Sequence, residues 1–201
     1  MVTVSNVSRY IALEGVDGSG KTTVGKTLVT RLIANGEGAI LVREPGGTAV
    51  GEAVRSLLLD SDSLNVWAEV FLFAAQRAEL ASEVISPALR AGTWVVSDRT
   101  YYSSIAYQGR ARGLGEDTVR GINETGLAGV VPQHVFVLDV EPDVALARQD
   151  RPDRIGKEGI EFQSTVRSCY LDLAASEEKV MVLDGALSVD ELSDQIMELV
   201  T

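Results

Sequence analysis

The sequence predicts a three-layer α/β/α fold built on a five-stranded parallel sheet, and two observations carry that expectation. Five short apolar runs are separated by stretches of helical period, which implies parallel strands joined by right-handed crossovers. The turn after the first run is rich in glycine and leads directly into a helix, the place where open α/β sheets bind ligands.

Tyr10–Leu13 is the first strand, closed by Glu14-Gly15. A helical pattern runs from about Lys21 to Ala34, and Ala39–Val42 is the second strand, closed by Glu44-Pro45-Gly46-Gly47. Thr48–Leu59 and Val66–Leu80 are helical in period, and Pro87 marks the first turn of a further helix. Thr93–Ser97, His134–Val140 and Lys179–Leu183 supply the remaining strands. Further helices include Asp143–Arg148, Gly159–Ala175 and Val189–Val200. Residues 148–159 are too polar for core yet lie between two helices, so they read as a mobile lid.

A length of 201 residues suits one domain spanning residues 1–201. No apolar run reaches the roughly 18 residues that cross a bilayer, and the N-terminus shows no secretory pattern. The single cysteine, Cys169, excludes an internal disulfide framework and reads as core filler. A cytoplasmic protein without a membrane partner is expected. Twenty-nine acidic against 18 basic residues give a net charge of −11, the opposite of the basic face that a nucleic acid requires. Phosphorylated small molecules remain compatible, because a few cations inside a cleft outweigh a distant acidic surface.

Gly15-Val16-Asp17-Gly18-Ser19-Gly20-Lys21-Thr22 fits GxxxxGK[ST], the phosphate loop of P-loop NTPases. Its backbone N–H groups turn inward around a triphosphate, and the following helix adds its positive end. Lys21 reaches the outer phosphates, Thr22 offers a hydroxyl to Mg²⁺, and Thr23 follows in the first turn of the helix. Asp98-Arg99 ends the third strand beside this loop. Strand alternation would turn Asp98 toward the loop and its Mg²⁺ and Arg99 toward an acceptor. Phe73 and Arg77, spaced i, i+4, share a helical face on which a flat pyrimidine could stack while Arg77 donates to its carbonyl.

Five marks occur together: GVDGSGKTT (15–23), REPGGT (43–48), Phe73-Ala74-Ala75-Gln76-Arg77, Asp98-Arg99, and Ser103-Ser104-Ile105-Ala106-Tyr107-Gln108-Gly109. Their order and spacing resemble the thymidylate kinases over nearly the whole chain. The resemblance implies transfer of the γ-phosphate of ATP to dTMP, giving dTDP on the route to dTTP. It also implies that Phe73 and Arg77 hold the thymine, and that Arg55 joins Arg99 on the acceptor phosphate. Ser103, Ser104 and Gln108 would bond the base edge, and Tyr107 would crowd the 2′ position of the sugar. Asp17 would contact the 3′-hydroxyl, and Glu44 would reach Mg²⁺ or the acceptor. Members of that family form homodimers through helices, and Val66–Leu80 is apolar on more than one face.

Some thymidylate kinases carry an arginine in the phosphate loop where this chain has Gly18; others supply it from the lid, and this chain resembles the second kind. Arg148, Arg151 and Arg154 are spaced by three, and Asp153-Arg154 matches the family's lid dipeptide. The expectation is that Arg151 or Arg154 meets the phosphates while Arg148 stacks the adenine. A kinase for another small acceptor and a non-catalytic nucleotide sensor are the competing readings.

Overall fold

The computed structural model describes residues 9–148 and 153–200. Five strands, β1 (Tyr10–Glu14), β2 (Ala39–Arg43), β3 (Trp94–Asp98), β4 (His134–Asp139) and β5 (Val180–Asp184), form one sheet in the order β2-β3-β1-β4-β5. All four pairings are parallel. Each strand falls within about a residue of its predicted span. Leu13 of β1 stands opposite Asp98 of β3 and Phe136 of β4. The carboxyl ends of β1 and β3 therefore lie within a residue of each other, at the edge where the glycine-rich turn begins, and β4 runs a little further to Asp139.

Side-chain alternation along β1 sends its residues to two different layers, as a parallel sheet covered on both faces requires. Ile11 and Leu13 pack with Val24, Leu28 and Leu32 of α1 (Lys21–Ala34) and with Leu192 and Ile196 of α9 (Val189–Val200). Ala12 faces the other layer, which includes Val166, Cys169 and Tyr170 of α8 (Ile160–Ser176). Cys169 is fully buried there, and burial pushes its thiol up to about 12, which leaves it inert. Among the described residues no helix is long and apolar enough to cross a membrane.

α2 (Ala49–Asp60) starts one residue later than its period suggested, because Thr48 is the N-cap, its hydroxyl accepting from Gly51 N at 2.9 Å. α3 (Val66–Leu80) is capped by Asn65. It continues through a π-helical turn (Ala81–Ile85) into α4 (Ser86–Arg90), which carries Pro87 in its first turn as expected. The widened turn lies immediately before Pro87, whose ring would otherwise meet the carbonyl four residues back. After β3 come α5 (Tyr101–Ser104), a second π-helical turn (Ile105–Ala111) and α6 (Glu116–Leu127). α7 (Pro142–Ala147) precedes the predicted lid, and a 3₁₀ turn (Gly156–Glu158) lies within it.

Candidate active site

The phosphate loop leaves β1 and ends in α1, whose first turn has no side-chain cap, so its N–H groups remain available to an anion. Gly18 adopts φ +88°, and a Cβ there would lie 2.1 Å from the Ala145 carbonyl oxygen. No side chain fits that position without displacing α7, which explains physically why this loop carries no arginine of its own. Lys21 folds back on the loop, its Nζ donating to the carbonyls of Gly15 (3.1 Å) and Val16 (2.8 Å) and to Ser19 Oγ (3.2 Å). Burial, followed by repulsion from Arg99, lowers its ammonium to about 8. The Thr22 hydroxyl donates to the Asp98 carboxylate, bringing two hard oxygen donors to the mouth of the loop.

A cavity of about 400 Å³ opens from this loop. Asp17, Gly18, Gly20, Lys21, Thr22 and Thr23 form its phosphate side, and Arg55, Asp98, Arg99 and Glu44 also reach it. Phe73, Ser103, Ser104, Tyr107 and Gln108 line the rest, and Arg148, Asp153 and Ile155 border it from the segment after α7. Most residues singled out from sequence are therefore gathered around one space. Gly15, Val16 and Ser19 lie beneath it, where they receive Lys21.

Three placements differ from expectation. Arg99 is not the last residue of β3; its backbone turns left-handed at φ 74°, with its N–H donated to Leu13 O at 3.0 Å. That turn, rather than strand alternation, aims its side chain. The guanidinium is held by Gly15 O (3.1 Å), Ser103 Oγ (2.9 Å), the Asp17 carboxylate and the Tyr107 ring, 5.2 Å from its centroid.

Arg77 does not stand in the cavity wall. It is buried, 1% exposed, with Nε on the Glu44 carboxylate and Nη1 on Ser104 Oγ (3.1 Å) and Asn123 Oδ1. Its Nη2 donates to Thr100 O at 3.3 Å, so four of its five N–H groups have protein acceptors. Glu44, expected to reach Mg²⁺ or the acceptor, lines the cavity and also pairs with Arg77.

Among the described residues, the contacts of Arg154 are to partners outside the phosphate loop. Its Nε donates to Leu58 O at 3.0 Å, and its Nη2 makes a charge contact with Glu69 at 2.7 Å. Arg151 lies outside the described residues.

Sequence reasoning missed two buried carboxylates. Glu14 accepts from Thr100 N and Oγ1 (both 2.7 Å), Ser103 Oγ (2.6 Å) and Tyr170 OH (2.8 Å), fixing α5 against the loop strand. A glutamate ending an apolar strand is a readable signal for such a role. Glu69 is 1% exposed and lies in an ordinary amphipathic pattern, which gives no such signal.

A loop shaped for one phosphate chain, facing two guanidinium groups suited to a second, is the layout of a nucleoside-monophosphate kinase of the P-loop class. Comparison with known proteins narrows that class. The thymidylate kinase family profile matches residues 13–196. The chain is 44% identical over 193 residues to the thymidylate kinase of Thermosipho melanesiensis, covering 95% of this chain and 96% of that one. It is 41% identical over 191 residues to that of Fervidobacterium nodosum, covering 94% and 96%. With that of Finegoldia magna the identity is 40% over 194 residues, again covering 94% and 96%. The chain belongs to the thymidylate kinase family. It is an enzyme that transfers a phosphoryl group from ATP to dTMP, giving dTDP and ADP.

Proposed function

We propose that residues 1–201 form one kinase domain in which dTMP lies along the cavity, with its base at Phe73 and its phosphate between Arg55 and Arg99. The observation that carries this reading is the position of Arg99. Its guanidinium touches the phosphate loop at Gly15 and the acceptor helix at Ser103, where two phosphate groups would have to meet. Arg55 is half-buried on the same cavity, where burial lowers its pKa and a dianionic phosphate would favour its charged form. Phe73 offers a face for stacking, Ser103, Ser104 and Gln108 bond the base edge, and the one uncommitted N–H of Arg77 serves the thymine carbonyl from behind. Tyr107 packs against the sugar, and Asp17 accepts from its 3′-hydroxyl.

Residues 15–23 hold ATP, with Lys21 leaving its loop carbonyls for the phosphates. Thr22 and Asp98 are the oxygen donors that would hold Mg²⁺, which they suit in kind; the other ligands would be phosphate oxygens and water. The ion, when bound, neutralises phosphate charge. In-line transfer then depends on alignment by Arg55 and Arg99 and on cations that offset charge on the moving group. Of the lid arginines, Arg148 borders the cavity and serves the nucleotide, Arg151 is the second cation for the phosphates, and Arg154 acts from its place on Glu69.

We also assign a homodimer. Val50, Leu57, Trp67 and Phe71 are exposed on α2 and α3, with the Trp67 and Phe71 rings stacked 6.1 Å apart. Light scattering tests it. A reaction drawing on ATP, with one buried free thiol, suits the cytoplasm.

The decisive assay follows ADP release with dTMP, dUMP, dCMP, dGMP and AMP as acceptors. The expected order has dTMP highest in kcat/KM and dCMP well below it, because cytosine presents a donor where Arg77 needs an acceptor. Faster turnover of dCMP or AMP would overturn the acceptor assignment.

A further inference from the structure

The buried carboxylate of Glu69 joins the base end of the cavity to the segment that follows α7. Its Oε1 accepts from Gln108 Nε2 at 2.8 Å and from Arg112 Nε at 3.3 Å. Its Oε2 meets Arg154 Nη2 at 2.7 Å and Arg112 Nη2 at 3.5 Å. Arg112 in turn pairs with Glu158 at 2.6 Å and lies over the Phe162 ring, 5.0 Å from its centroid. Phe162 meets Tyr107 edge-on at 6.0 Å. Two acids and two guanidinium groups thus balance in charge, as a buried cluster must.

Three arms of this cluster lead to the acceptor cavity or its border. Gln108 and Tyr107 are wall residues, and Arg154 is flanked by Asp153 and Ile155, which border the same space. Arg154 is further pinned to the end of α2 through Leu58 O, on the helix that carries Arg55. Neither of these contacts is to the phosphate loop.

We propose that Glu69 is a positioning residue that, with Arg154 as its partner, fixes Gln108 and residues 153–158 as one wall around the base of dTMP. Arg154 then contributes to acceptor binding and not to charge neutralisation at the transferred phosphoryl group. The inference rests on the reading that the Phe73 end of the cavity takes the base.

The test separates the two roles by removing ATP. A cation for the transferred phosphoryl group matters only once ATP is bound, whereas a wall fixed by Arg154 matters in the binary complex with dTMP. Calorimetry of dTMP binding to the full chain, without ATP, is expected to show roughly tenfold weaker binding for Arg154→Gln and Glu69→Gln. The double variant should be little worse than the weaker single, as two ends of one contact require. KM for ATP should stay within about twofold. If Glu69→Gln does not fold, Arg154→Gln decides alone. Unchanged dTMP affinity in Arg154→Gln, with kcat falling by the roughly 10³-fold of arginine fingers, would overturn the proposal. Failure of the wild type to bind dTMP would instead sink the base-site reading beneath it.

Discussion

Arg99 reaches across the phosphate loop to form an ion pair with Asp17, two residues 82 positions apart in the chain. Burial works against the Asp17 charge, but Arg99 and then Lys21 outweigh it and hold the carboxyl below the ordinary carboxylate range. Asp17→Asn should lower kcat/KM for dTMP roughly tenfold or more while leaving KM for ATP within about threefold. The depressed folded pKa makes the pair stabilising above the unfolded value of about 4, and that stability is lost as pH falls through the folded value. The melting-temperature gap between wild type and Asp17→Asn should therefore close in acid. A gap that persists unchanged at pH 3 would show that the carboxylate charge is not its source.

Lys21 carries the opposite linkage. Its ammonium is lowered to about 8 in the free protein, and phosphate oxygens would restore it toward the ordinary lysine value. Nucleotide binding should be proton-neutral near pH 7 and should take up about one proton near pH 9, with affinity falling by up to about tenfold per pH unit above 8. Calorimetry in two buffers of different ionisation heat measures this directly. No proton uptake at pH 9 would mean that Lys21 stays charged in the empty loop.

The Arg77–Glu44 pair predicts a stability effect distinct from catalysis. Arg77→Met leaves the Glu44 carboxylate buried without its cation, a change that costs about 3–5 kcal/mol. Urea titration should show that loss, and Arg77→Met with Glu44→Leu should recover much of it. The double variant should still bind dTMP poorly, since Ser104 loses the donor that holds it.

Asp98 and Thr22 predict a metal dependence. Chelation of divalent cations should stop turnover, and Asp98→Asn should raise the Mg²⁺ concentration for half-maximal rate roughly tenfold. An unchanged Mg²⁺ requirement would remove Asp98 from the ion's surroundings.

The sheet and the phosphate loop were legible because both are local patterns: an apolar run, a turn and a helix lie within about two dozen residues of one another. Arg55, Ser104, Tyr107 and Gln108 were reached only through resemblance, and all of them border the cavity. What escaped was set by contacts distant in sequence. Arg154 has a lid-like neighbourhood in sequence, yet its partners Leu58 and Glu69 lie 96 and 85 residues away (154 − 58; 154 − 69). No spacing rule reports such a pairing. For Arg99 the physical reason is local: strand alternation holds only while the strand continues, and β3 ends at Asp98, so the left-handed turn at Arg99 aims its side chain instead.

The wide turn over Ile105–Ala111 has a consequence for how this gene can change. Arg112 N bonds to Tyr107 O, five residues back, so the turn holds one residue more than an α-helical turn would. Tyr107 and Gln108 owe their direction to that count. Deleting a single residue would let the backbone relax to regular α-helix, which keeps both flanks in place but removes the offset that aims Tyr107 and Gln108 into the cavity. In a library of random one-codon insertions and deletions, this stretch should stand out as a cold spot, although many of its side chains could be exchanged one at a time.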